Sequence, residues 1–422
     1  PDSATGRQEL ELPQQEGEEQ AMAKAFDGVR VIDFTQVIAG PFCTQHLAMM
    51  GADVIKLEQR SGGDQGRYLI GDNDLGRVGM SPMFLSINSG KRAMTLDLKH
   101  PRARGVVHRL VAGANIVVEN FKAGTMDRLG FGYEALKEVR PGLVFCSISG
   151  YGQTGDYAGA PAYDGAIQAA SGMMSVTGHP DTGPVRAGFT AVDLSTGITA
   201  AFACASALYR QQATGEGQRL DVTMFESSLS MLAPLLIDYL TTGNLAAPVG
   251  NSSPARVPTA DSFRVRGGAI LMTCLTERQW QGLCRALDRP DLAADPCFAD
   301  NEARKANQGA LRAALEEAFA ADTPEGWERR LAAEGVPAAP INDISQALAH
   351  PALAERRFVE RRPGPAGIER DVYTVNPAFL ADDDGPGTAR PPPEHGADSD
   401  EILAEIGYSA GEIRELRDAG AV

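Results

Sequence analysis

No stretch of the 422 residues reads as a membrane span, and none pairs a basic n-region with an apolar h-region. Neither a secretory signal nor a membrane partner is expected, and the cytoplasm is the expected compartment. Cysteine is sparse and scattered. Cys43, Cys146, Cys204, Cys274, Cys284 and Cys297 form no C-x-x-C pair, and most sit in apolar runs such as LVFCSI, AFACAS and LMTCLT. They read as reduced core residues, which excludes a disulfide framework and a zinc site. The six histidines show no ligand spacing, so no metal is expected. Positive charge is in deficit. A formal net charge of −16 argues against nucleic acid as the partner, while a local site for a small anion stays open.

What is present is globular. Hydrophobic residues make up 43% and charged residues 22%, and the length predicts two domains. Residues 1–21 hold Asp2, Glu9, Glu11, Glu16, Glu18 and Glu19 against Arg7 alone, without hydrophobic periodicity. They predict a disordered leader over 1–25, with Met22 as a candidate start. From 26 to 245 apolar strand-like runs (VRVIDF, ADVIKLE, NIVVENF, LVFCSI) alternate with helical patterns. That alternation predicts parallel βαβ units in a large Rossmann-like α/β domain. Residues 246–260 read as a Pro, Gly and Ser linker, and 261–345 as a smaller α+β domain. A Pro-rich return segment, 346–422, ends in helical patterns and is expected to wrap back and complete the large domain.

Several motifs carry chemistry. The first βα turn, DFTQVIAGPFC, lacks G-x-G-x-x-G, so a nicotinamide dinucleotide is not indicated. Its helix start at Pro41 suits either an anion or a plain tight turn. Lys91, Arg92, Lys99, Arg102 and Arg104 form a basic island, readable as a phosphate site or as a solvated face. Asn120 and Phe121 stand at a strand end, where open α/β sheets bind ligands. The Gly- and Ala-rich segment after LVFCSIS reads as a long active-site loop carrying Tyr163 and Asp164. In VRAGFTAVDLSTG, Asp193 is the only acid among small and apolar residues. With the helix starting near Leu194–Ser195, a helix N-cap explains it fully and on composition alone outweighs a catalytic role, which needs further support.

Taken together, GVRVIDFTQVIAGPFCTQHLAMMGADVIKLE, NSGKRAMTLDLK, VVENF with DRLG, the YD block and the D-x-x-TG block resemble one family in order. That family is the class III coenzyme A transferases, the CaiB/BaiF or formyl-CoA transferase-like enzymes, and the resemblance runs from about residue 26 to the C-terminus. It implies that Asp193 attacks an acyl-CoA, giving an aspartyl anhydride and then an aspartyl-CoA thioester. Backbone N–H groups at the helix start would stabilise the oxyanion. It implies CoA contacts at Val37, Ala39, Arg60, Leu96, Lys99, Asn120, Phe121 and Arg128, with Tyr163 and Met224 lining the route to the aspartate. It implies an interlocked homodimer, no permanently bound cofactor, and acyl-CoA and a carboxylic acid as substrates, with succinyl-CoA or another small dicarboxylyl-CoA as donor.

Two departures bear on the substrate. Ile38 stands where the formyl-CoA member has glutamine, and residues 249–260 hold no GGGGQ loop. Both argue against formyl-CoA and oxalate. The alternative relative, an α-methylacyl-CoA racemase, would carry histidine thirty residues before the aspartate. Tyr163 occupies that position, and a phenol with a pKa of about 10 is a poor base at neutral pH.

Overall fold

The computed structural model describes residues 24–69, 74–253, 256–383, 385–388 and 390–422. Of the expected leader, residues 1–23 lie outside the described residues. Lys24 donates its backbone N–H to Asp27 at 2.8 Å, opening a turn. The chain divides into two units, one of residues 1–173, 187–237 and 352–422, the other of 174–186 and 238–351.

The first unit holds six parallel strands: β1 Arg30–Asp33, β2 Asp53–Glu58, β3 Arg92–Thr95, β4 Ile116–Glu119, β5 Val144–Ser149 and β6 Gln218–Thr223. Their order is β3-β2-β1-β4-β5-β6. In β1, Ile32 pairs with Ile55 on one side and Val117 on the other. Alternation splits these runs between two cores. Ile32, Ile55, Val117 and Phe145 face the helix Ala103–Ala112 and the C-terminal residues Ile402, Leu403, Leu416 and Val422. Val31, Val54, Val118 and Cys146 face the other way, onto Cys43, Leu47, Ala200, Cys204 and Leu208. The return segment is stitched in by its backbone as well: Asp97 N–H donates to Ala421 O at 2.9 Å, and Asp398 N–H donates to Ala93 O at 3.0 Å.

The second side of the sheet carries the two helices that matter most below, the first helix Ala39–Met49 and the long helix Ala191–Thr214. By length and composition the long helix could cross a membrane, which corrects the reading that no segment reaches that length. Half of its apolar window is buried, and its small residues form the core against the first helix. Gly197 permits this. A Cβ there would lie 2.7 Å from Ala39 O, so only glycine lets the two backbones approach.

The second unit has a three-stranded antiparallel sheet, β7 Ala260–Val265, β8 Gly268–Thr273 and β9 Ala338–Pro340. Trp280, Leu315, Phe319 and Trp327 centre its core. Its boundary falls at Asp238, earlier than the predicted linker, and it also takes in 174–186. Gly250 N–H donates to Gly178 O at 2.8 Å, joining those two stretches.

Three local features differ from the sequence reading. The Gly- and Ala-rich segment is not all loop. It contains helices Asp164–Ala170 and Met173–Val176, because Ile167 and Met173 find an apolar cluster to bury against. The polar return segment contains a hairpin, β10 Val359–Arg362 with β11 Val372–Val375, whose Val372 packs on Met80, Phe84 and Leu85. All six cysteines are free thiols and five are buried, but Cys297 is exposed, since Phe298 takes the buried place in that turn.

Candidate active site

Neighbouring strands β1 and β4 leave the sheet centre with their crossovers running in opposite directions. The crevice beyond their carboxyl ends is where such sheets bind ligands. Residues 35–37 line it, and side chains hold nearly every backbone group of that turn. Thr35 N–H donates to Asp33 at 2.8 Å, and Thr35 O accepts from Lys56 Nζ at 2.8 Å. Gln36 N–H donates to Asn120 Oδ1, and Asn120 Nδ2 donates back to Gln36 O, both at 2.8 Å. Val37 N–H donates to Asp64 Oδ1 at 2.9 Å. Val37 has φ 68°, a left-handed conformation that a β-branched residue adopts only when its surroundings impose it.

The surroundings are six buried charged side chains, three acids and three bases: Asp33, Glu58, Asp64, Lys56, Arg67 and Lys91. Lys56 pairs with Asp64 at 2.8 Å, Arg67 with Glu58 at 2.6 Å, and Lys91 with Asp33 at 3.1 Å. Burial would raise the Asp33 carboxyl, but the charges of Lys91 and Lys56 hold it below the usual carboxylate range. Burial pushes Lys91 down to about 8. Lys91 and Arg92 therefore leave the basic island. Lys91 lies inside this network, and Arg92 pairs with Asp53 and Glu405. Lys99, Arg102 and Arg104 remain exposed.

On the other flank stands Asp193. The helix begins at Ala191, so Asp193 lies in its first turn and does not cap it. The capping carboxylate comes from Asp164. Its Oδ2 accepts Val192 N–H at 2.8 Å and Asp193 N–H at 3.2 Å. Asp164 Oδ1 accepts from Gln168 Nε2 at 2.6 Å, and Gln168 Oε1 accepts Ala187 N–H at 2.9 Å. The N–H groups expected to stabilise an oxyanion at this helix start are thus already engaged. Among the described residues no hydrogen bond or ion pair reaches the Asp193 carboxylate itself. Burial, with the nearby Asp164 charge, pushes it up to about 7.

A cavity of about 400 Å³ joins the two flanks. Val37, Ala39, Asn120, Phe121, Tyr163, Met224 and Asp193 all line it, so seven of the eleven residues named from the sequence converge. Gln65, Ser149, Tyr151 and Lys122 are polar linings that the sequence reading did not pick out, and Gln36 lines it too. Four named residues lie elsewhere. Leu96 is buried in the core, and Arg60, Lys99 and Arg128 are exposed outside this cavity. Arg60 reaches Gly420 O at 3.4 Å and Arg128 reaches Thr125 Oγ1 at 2.8 Å. Asn120 lines the cavity, but both ends of its amide are committed to Gln36, so it braces the turn.

Sequence reasoning also missed Glu119. It is buried and pushed up to about 7 by burial, and it holds Phe121 N–H at 2.8 Å. Its signal was an acid closing the apolar run IVV. Among the described residues no group of three or more His, Cys, Asp or Glu side chains is placed to share a metal ion.

Comparison with known proteins shows the family. The sequence profile of CoA-transferase family III matches residues 26–399. The acetyl-CoA:oxalate CoA-transferase of Acetobacter aceti is 38% identical over 343 residues, covering 80% of this chain and 86% of its own. The succinyl-CoA:mesaconate CoA-transferase of Haloarcula hispanica is 37% identical over 400 residues, covering 92% and 98%. The crystal structure of a CaiB/BaiF family protein from Brucella suis superposes with a TM-score of 0.80 at 33% identity, covering 91% of this chain and all of that one. The chain is an enzyme of the CoA-transferase type and belongs to CoA-transferase family III.

Proposed function

We propose that this enzyme transfers CoA from a small dicarboxylyl-CoA, such as succinyl-CoA, to a second carboxylic acid, with Asp193 as the covalent nucleophile. The observation that carries the reading is a desolvated carboxylate facing the cavity without a partner. A stripped carboxylate is a stronger nucleophile than a solvated one. An Asp193 oxygen attacks the thioester carbonyl, the C–S bond breaks, and its electron pair leaves as CoA thiolate. The thiolate then attacks Cγ of Asp193, expelling the donor acid as a carboxylate and leaving an aspartyl-CoA thioester. The acceptor acid repeats both steps in reverse.

The oxyanion donors are reassigned to the first helix. No side chain caps its N-terminus, and its Ala39 lines the cavity. Among the described residues Lys122 is the one cationic lining residue, and it suits the second carboxylate of a dicarboxylic substrate. One relative takes its name from oxalate and another from mesaconate, so both belong among the acceptors to be tried.

Succinyl-CoA incubated with a panel of dicarboxylic acids, read by mass spectrometry, tests the transfer. Hydroxylamine trapping tests the thioester. Asp193→Asn is expected to lose at least about 10³-fold in turnover. Retained transfer in that variant would overturn the nucleophile. Deuterium wash-in at the α-carbon without an acceptor would mark a racemase instead. A homodimer is proposed on the exposed Ile198, Phe202 and Tyr209, which fall along one face of the long helix. A monomer by light scattering would remove it.

A further inference from the structure

Asp164 is almost fully buried and is used by neither the transfer chemistry nor the cavity lining. Its carboxylate sits at the start of the long helix, where unpaired N–H groups and the helix dipole favour negative charge. One oxygen takes the N–H groups of Val192 and Asp193, and the other takes Gln168, which in turn holds Ala187 N–H. The segment 187–193 is therefore pinned at three backbone positions by one acid and its amide relay.

We propose that Asp164 is the positioning residue of the nucleophile: it fixes the first helical turn so that Asp193 projects into the cavity, and it fills that turn's anion site with its own charge. Two effects follow. The helix N-terminus cannot stabilise the Asp193 carboxylate, because a neighbouring carboxylate already occupies it. The second negative charge adds direct repulsion, the secondary cause of the raised Asp193 value.

The other charged and titratable groups around Asp193 offer little relief. Lys122, Tyr151 and Tyr163 line the cavity. His46 of the first helix bonds to Phe42 O, and Glu226 of the helix Met224–Met231 accepts from Thr223 Oγ1. Neither of those two carries a bond to Asp193. The nucleophile is thus held basic by construction, and it needs no general base.

This inference rests on Asp193 being the nucleophile, and the test separates the two. The full chain, ¹³C-labelled at aspartate Cγ, is titrated by NMR from pH 4 to 9. Asp193→Asn identifies the resonance by its disappearance. The Asp193 midpoint is expected near 7 in the unaltered chain. In Asp164→Asn it should fall by about one pH unit or more, since the charge goes while an acceptor oxygen stays. The acid limb of kcat/KM for CoA transfer from succinyl-CoA to ¹³C-succinate should move down with it.

Gln168→Met keeps the charge and loosens the relay. It should lower kcat without moving the limb, a split that a purely structural role for Asp164 would not give. A wild-type midpoint below about 5, or a midpoint and limb unmoved in a folded Asp164→Asn, overturns the proposal. Burial alone would also lift the wild-type midpoint, so if Asp164→Asn fails to fold, Asp164→Ser, which likewise keeps an acceptor oxygen without the charge, supplies the same reading. If Asp193→Asn still transfers CoA, the nucleophile reading fails. If that variant is inert and Asp164→Asn leaves the titration unmoved, only the role of Asp164 fails.

Discussion

Two flanks of one cavity bury carboxylates in opposite ways. Beneath the turn at residues 35–37, each of Asp33, Glu58 and Asp64 has a buried cation as partner. Across the cavity, Asp193 and Asp164 stand together without a cation. Pairing holds Asp33 low, while isolation with a like charge lifts Asp193 to about 7. The first arrangement compensates every buried charge, and the second leaves an uncompensated acid at the cavity, which is what the proposed nucleophile rests on. Burial is common to both, so the partner decides in which direction a buried acid's proton affinity moves.

The sharpest way to break this contrast is to remove one partner from the paired flank. Asp33→Asn leaves Lys91 buried without its counter-charge and should cost about 3–5 kcal/mol. Urea unfolding at pH 7 measures it. Because the folded Asp33 carboxyl lies below its unfolded value, its contribution is present above pH ~4 and lost as the pH falls further. The gap between variant and wild type should therefore narrow in acid.

The same substitution on the other flank should have the opposite sign. Asp193 is raised in the folded state to about 7, so its protonated form favours folding. That stability is full below pH ~4 and is lost as the pH rises through about 7. Asp193→Asn should therefore be more stable than wild type at pH 8, on the order of 2 kcal/mol after allowance for partial exposure, with the difference closing by pH 4. Unfolding of both proteins at pH 4, 6 and 8 checks it. An inert variant that is also less stable at pH 8 would break the comparison.

The sequence shows this contrast unevenly. Short apolar runs bounded by turns placed the large domain's strands, because period and length are local properties. The strand β3 was hidden by its charges. Lys91 and Arg92 read as a surface island, and only the tertiary partners Asp33, Asp53 and Glu405 reveal them as buried pairs. Asp193 was legible as a residue of interest but not in its local role. Its helix starts two residues before it, and the cap arrives from Asp164, far back in the chain. No spacing rule reports a cap supplied from another element. Asn120 was found at the right strand end, but its amide proved to serve Gln36.

The smallest effect is expected where the paired flank imposes its geometry on one residue. Val37 is held at φ 68° by Asp64 and by the neighbouring brace from Asn120. Val37→Gly relieves left-handed strain of about 1–2 kcal/mol. It also frees the unfolded chain, which costs about 0.5–1 kcal/mol in return. The net change in stability should stay within about 1 kcal/mol and favour glycine. The turn should keep its shape, since the bonds to Asp64 and Asn120 use backbone atoms at 36 and 37. The lost side chain lines the cavity, so KM for succinyl-CoA should rise a few-fold while kcat holds. If kcat falls while KM rises, glycine has let the turn move, and the buried charges beneath it are not what sets the wall of the site.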